Sequence, residues 1–122
     1  MAGLFDIDKF ERLYRSKKKA SGDGSADVRI SLRPVSAKKL RVLTHVAVEN
    51  QTNTTTRIRL GIHNRGEDYY LDELKDVLIA ELCVSRSDIL LGDGDSFFVE
   101  FTGSHDPDIL LVTCLGWEQA LK

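Results

Sequence analysis

The sequence predicts an all-β fold: a two-layer antiparallel β-sandwich or jelly-roll-like domain of about seven or eight strands, with an N-terminal amphipathic helical arm. Three observations lead there. From residue 27 onward apolar side chains recur with a period of two. Clusters of Gly, Asp and Asn punctuate the chain at the spacing of short antiparallel strands. A length of 122 residues, 42% hydrophobic and 30% charged, suits one globular core.

Residues 1–19 stand apart. Leu4, Ile7, Phe10, Leu13 and Tyr14 fall at helical spacing behind Asp6, a residue type that caps helix N-termini. Asp6, Asp8 and Glu11 come early and Arg12, Arg15, Lys17, Lys18 and Lys19 late, the polarity that suits a helix dipole. The segment reads as a short amphipathic helix. Residues 20–26, with two glycines and two serines, have the composition of a flexible linker. The helix is then an arm that must dock to become ordered, and residues 27–122 form the sandwich.

Within residues 27–33, Val28, Ile30 and Leu32 alternate with polar side chains, and Pro34 ends an edge strand. Leu40, Val42, Thr44, Val46 and Val48 alternate with Arg41, Leu43, His45, Ala47 and Glu49. Ile58, Leu60 and Ile62 alternate with Arg57, Arg59, Gly61 and His63. The polar run 50–55 between these two strands is a hairpin or a crossing to the facing sheet. Residues 69–84 fit either period, and their place between β elements favours strand. Phe97, Val99 and Phe101 alternate with Phe98, Glu100 and Thr102 between turns at 92–95 and 103–107. Residues 109–117 are apolar on both faces, which predicts a central or covered strand.

Function is constrained mostly by exclusion. With 17 Lys and Arg against 19 Asp and Glu, the formal charge of −2 argues against a nucleic-acid partner. No apolar run approaches the ~18 residues of a membrane span, and no signal-peptide layout is present. Cys83 and Cys114 are the only cysteines and are expected as buried, reduced thiols of an intracellular product. His45, His63 and His105 lack partners at metal-ligand spacing and read as surface groups; His45 and His63 pair if their strands are neighbours. Asp93, Asp95, Asp106 and Asp108 read as solvated turn residues, because their spacing does not match an EF-hand loop. Asn50 and Asn53 begin glycosylation triplets that carry no weight without a leader. No nucleophile elbow, triad motif or phosphate cradle is recognisable. No catalytic residue, cofactor, metal or small-molecule ligand is therefore expected. The cations of residues 12–19 form the one dense positive patch, a solvated helix end first, then a contact for an acidic protein surface, and last a contact for nucleic acid.

The segments LTHVAVEN at 43–50, TRIRLGI at 56–62, YYL at 69–71, GDGD at 92–95, VEFTG at 99–103 and the strand within 108–116 resemble small β-sandwich structural proteins of tailed bacteriophages. The resemblance spans roughly residues 40–117, rests on strand rhythm and turn glycines, and leaves the arm outside it. It implies a non-enzymatic virion subunit, a neck or head-tail connector or capsid decoration protein, made in the host cytoplasm. Its partners would be other virion proteins and copies of itself, with no membrane. Leu4, Phe5, Ile7, Phe10, Leu13 and Tyr14, with Arg12 and Arg15, would anchor it on a neighbour. The alternative is a carbohydrate- or receptor-binding sandwich whose loops 64–70 and 103–108 present Asp68, Tyr69, Tyr70 and Asp106. Trp117, the single tryptophan, is expected to pack at the end of the last strand.

Overall fold

The computed structural model describes residues 10–24, 27–85 and 87–120. Among these are nine strands and no helix: β1 (Phe10–Ser21), β2 (Asp27–Ser31), β3 (Lys39–Asn50), β4 (Thr55–Asn64), β5 (Glu67–Val77), β6 (Cys83–Val84), β7 (Ile89–Leu91), β8 (Ser96–Thr102) and β9 (Ile109–Ala120). They form two antiparallel sheets. In one the order is β1-β9-β3, with short β6 and β7 both paired to β3; in the other it is β2-β8-β4-β5. The all-β, two-sheet expectation holds.

The alternation read from the sequence sets which side chains meet. Phe97, Val99 and Phe101 of β8 and Ile58 and Leu60 of β4 face Val46 and Val48 of β3 and Leu110, Val112 and Cys114 of β9 in one buried cluster. Burial of each large apolar side chain contributes about 1.5–3 kcal/mol, so this cluster holds the two layers together. Cys83 and Cys114 are both buried and unbridged. The run 51–54 is a crossing rather than a hairpin, because it takes the chain from β3 in one sheet to β4 in the other. His45 and His63 are thereby separated into different sheets, so the conditional pairing does not arise. Residues 69–84 are strand up to Val77, break at 78–82 and resume briefly as β6.

The helical expectation for residues 1–19 is corrected over its described part: residues 10–21 are a strand, and Leu4, Phe5 and Ile7 lie outside the described residues. β9 explains why. Left with one unpaired edge, a long apolar strand is an aggregation liability, and β3 pairs only one edge of β9. β1 pairs the other, in register from Arg12 opposite Glu118 to Ser21 opposite Ile109. Tertiary pairing overrides a helical pattern that only five apolar residues carried. Tyr14 and Ala20 turn toward the core, while Leu13 faces out. Gly22 then closes the corner: its N–H bonds the Asp108 carbonyl at 2.8 Å, and a Cβ there would lie 2.3 Å from the His105 carbonyl oxygen.

That corner holds a second correction. Asp93 and Asp106 are exposed as expected of turn residues, but Asp108 is fully buried. Its carboxylate accepts hydrogen bonds from Asn50 Nδ2 (3.0 Å), Asn53 Nδ2 (2.7 Å) and the His105 amide (2.7 Å). Asn50, also fully buried, donates to Thr55 Oγ1 and accepts from the amides of Thr52 and Asn53. Burial alone would raise the Asp108 pKa, but the bonds from Asn50, the His105 amide and Asn53 outweigh it and hold the carboxyl below its ordinary value. The cluster ties the β3–β4 crossing to the β8–β9 loop.

Candidate functional site

Each sheet has an outer face, and the two differ in kind. On the β2-β8-β4-β5 sheet the residues opposite the core side chains form a row of alternating charge: Arg29, Glu100, Arg59 and Glu73 lie in register across four strands. Arg29 reaches both Glu100 and Asp68 at 2.8 Å, and Arg59 Nε bonds Glu73 at 2.7 Å. Beside this row Phe98 lies flat on the sheet. Gly61 makes that possible, because a Cβ there would sit 2.6 Å from the Phe98 ring. The Arg29 guanidinium stacks 3.9 Å above that ring, Tyr70 meets it edge-on at 5.6 Å, and Arg59 covers Tyr70 at 4.6 Å.

These contacts set the local electrostatics. Hydrogen bonds from Arg29 and His63 pull the Asp68 pKa down to about 2, and Arg59 lowers Glu73. Asp68, led by its hydrogen bond, raises Arg29 further above its already high value. His63 Nδ1 sits 2.7 Å from Asp68 Oδ1, an oriented imidazole. Ser96 is its cross-strand neighbour, but the serine hydroxyl donates to the Leu32 carbonyl at 2.7 Å. Arg29, Arg59, Glu100, Glu73 and Asp68 of this face are thus matched to one another, while the neighbouring Arg57 keeps a buried Nε without a hydrogen-bond partner among the described residues.

The outer face of the β1-β9-β3 sheet is apolar in its first row. Leu13, Trp117, Val42 and Leu90 lie in register across β1, β9, β3 and β7. Its two ends, Leu13 and Leu90, are 66% and 62% exposed. Leu115 and Val84 extend it in the following rows, beside Arg15 and Lys17. Arg15, Lys17, Lys18 and Lys19 have no ion-pair partner among the described residues. Between β5 and the β6–β7 segment a groove of about 270 Å³ runs past Ile62, Leu71, Ile89 and Leu90.

Of the residues expected to anchor the chain, Leu13 and Arg15 are exposed, whereas Tyr14 packs inward with Arg41 stacked 4.1 Å over its ring. Phe10 and Arg12 open β1. Of the alternative ligand set, Asp68 and Tyr70 share the polar face. Tyr69 points to the other side of β5, 55% exposed, opposite Ile62. Asp106 lies in the loop after β8, at the end of the sheet away from Asp68, because Thr102 pairs Arg57 while Ser96 pairs His63. Trp117 is in mid-sheet on the apolar outer row rather than capping a strand end. Sequence reading passed over Arg29, Phe98 and Glu100, whose signal was present: an aromatic and two charges at outward positions of a strand pair, with Gly61 opposite. Among the described residues no three His, Cys, Asp or Glu side chains converge as a metal site, and no helix is long and apolar enough to cross a membrane.

No protein-family model matches the chain, and no curated protein is significantly similar to it.

Proposed function

We propose that the chain is a non-enzymatic structural subunit of a tailed-phage virion, at the neck, the head-tail connection or the capsid surface, acting through contacts with neighbouring subunits. The observation that supports this best is the apolar row on the β1-β9-β3 face. An in-register line of Leu13, Trp117, Val42 and Leu90, exposed at both ends and edged by cations that have no ion-pair partner among the described residues, is the composition of a protein contact rather than of a solvated sheet. The anchor is then Leu13 with Arg15, presented by a strand instead of a helix. The reading as a carbohydrate or receptor binder is less well supported, because on the outer face of the polar sheet Phe98 is fully buried under Arg29 and Tyr70 is covered by Arg59. Immunogold labelling of purified particles of the phage that encodes the chain is expected to mark a fixed position. Particles without label, while the protein remains in the producing-cell lysate, would overturn the proposal.

A further inference from the structure

We infer that copies of the chain join head to tail, the β1 edge of one against the β5 edge of the next. The inference rests on the reading of the chain as an assembly subunit and names its partner as a second copy. Among the described residues β1 and β5 each end a sheet, β1 paired only to β9 and β5 only to β4, so each leaves one side of its backbone outside any ladder formed by those residues. They are also the long edges, 12 and 11 residues, whereas β2, β6 and β7 have five, two and three. Short edges are a common safeguard against strand addition, and these two lack it.

Their charges are opposite. β1 carries Arg15, Lys17, Lys18 and Lys19; β5 carries Glu67, Asp68, Asp72, Glu73 and Asp76 against Lys75. Pairing β1 with β1, or β5 with β5, would set like charges opposite one another, which disfavours both symmetric dimers. Only β1 against β5 matches sign. Asp68 and Glu73 are already neutralised by Arg29 and Arg59, so the charge that β5 offers a partner rests on Glu67 and Asp76, both exposed. Leu13 on one edge and Tyr69 and Leu71 on the other, 66%, 55% and 50% exposed, supply apolar surface to bury. The extra residue at Leu71, where Leu60 pairs Asp72 and Gly61 pairs Tyr70, divides the β5 edge and confines the ladder to one side of it. Because the two edges belong to different sheets, the contact is heterologous and propagates into a ring or a filament.

The test uses two full-length variants whose melting curves match the parent: one blocked at β1 (Arg15→Glu, Lys17→Glu, Lys19→Glu), the other at β5 (Glu67→Lys, Tyr69→Lys, Leu71→Lys). In sedimentation velocity the parent chain is expected to grow beyond a dimer with concentration at low salt. It should dissociate at about 0.5 M salt, where charges are screened beyond about 4 Å. Each variant alone should be a monomer, and the two mixed should stop at a one-to-one dimer, because each retains the edge the other lacks. A parent that stays monomeric at low salt, or variants that stay apart on mixing, would overturn the inference. A monomer that nonetheless labels in particles ends this inference and leaves the virion reading standing; a self-associating chain missing from particles does the reverse.

Discussion

Replacing Asp108 with alanine removes a carboxylate that accepts three hydrogen bonds and joins two loops. The fully buried bond from Asn50 is worth about 2 kcal/mol once its donor is orphaned, and the two part-buried donors, Asn53 and the His105 amide, about 1 kcal/mol each because water can replace some of what they lose. The expected loss is about 4 kcal/mol, a large share of the about 5–15 kcal/mol that holds a domain of this kind folded. With a urea slope of about 1.5 kcal/mol/M, the unfolding midpoint moves down by about 2.5 M. Asp108→Asn keeps one acceptor oxygen and should lose about half as much. Asp93→Ala, in an exposed turn, should stay within about 0.5 kcal/mol of the parent. The assay is equilibrium urea unfolding followed by Trp117 fluorescence and by circular dichroism. A midpoint shift under about 0.7 M for Asp108→Ala, equivalent to about 1 kcal/mol, would refute the view that this carboxylate fastens the β3–β4 crossing to the β8–β9 loop.

Asp68, with its pKa lowered to about 2, contributes stability that is complete above about pH 4 and is lost as the pH falls toward 2. The stability gap between the parent and Asp68→Asn should therefore be open at pH 6 and closed at pH 2 in urea titrations; a gap independent of pH contradicts the assignment. Arg41 and Glu118 form a buried pair at 2.8 Å, so Arg41→Met alone should cost about 3–5 kcal/mol. Arg41→Met with Glu118→Leu should recover most of that cost in thermal unfolding, and a fully additive double variant would count against a coupled pair. Burial raises the Cys114 thiol to about 12 despite Arg41, so at pH 8 it should react with a thiol reagent about a thousandfold more slowly folded than unfolded. Equal rates would mean the sheet opens there readily.

The sandwich was legible where one face of a strand is buried, because the period of two then marks inside and outside directly. The strands containing Val46, Ile58, Leu60 and Phe97 were found for that reason, close to their true limits. β1 was not, since its inward residues Tyr14, Ser16, Lys18 and Ala20 make a weak stripe, and its pairing depends on β9, a hundred residues away in the chain. Asp108 was misjudged because Asp in a Gly- and Pro-rich turn is a common sequence in water. Only the approach of Asn50 and Asn53 from the other crossing makes it a buried acceptor. The outer faces were half legible. The alternation placed Arg59 outward, while Tyr70 fell in a stretch that fits either period; which cation stacks on which ring follows from strand order, and strand order is not written in the period of any one segment.

Protein contacts through the apolar face are most directly measured by counting the chain in the assembled state. Purified particles made with the parent chain, or with Leu13→Asp and Leu90→Asp combined, can be compared by quantitative peptide mass spectrometry. Both positions are exposed, so the substitutions should change folding stability by no more than about 0.5 kcal/mol each. The parent is predicted at a fixed copy number per particle and the double variant at least about tenfold lower, corresponding to a loss of about 1.4 kcal/mol or more in binding. Equal copy numbers for a variant that melts like the parent would contradict the assignment of this face to assembly.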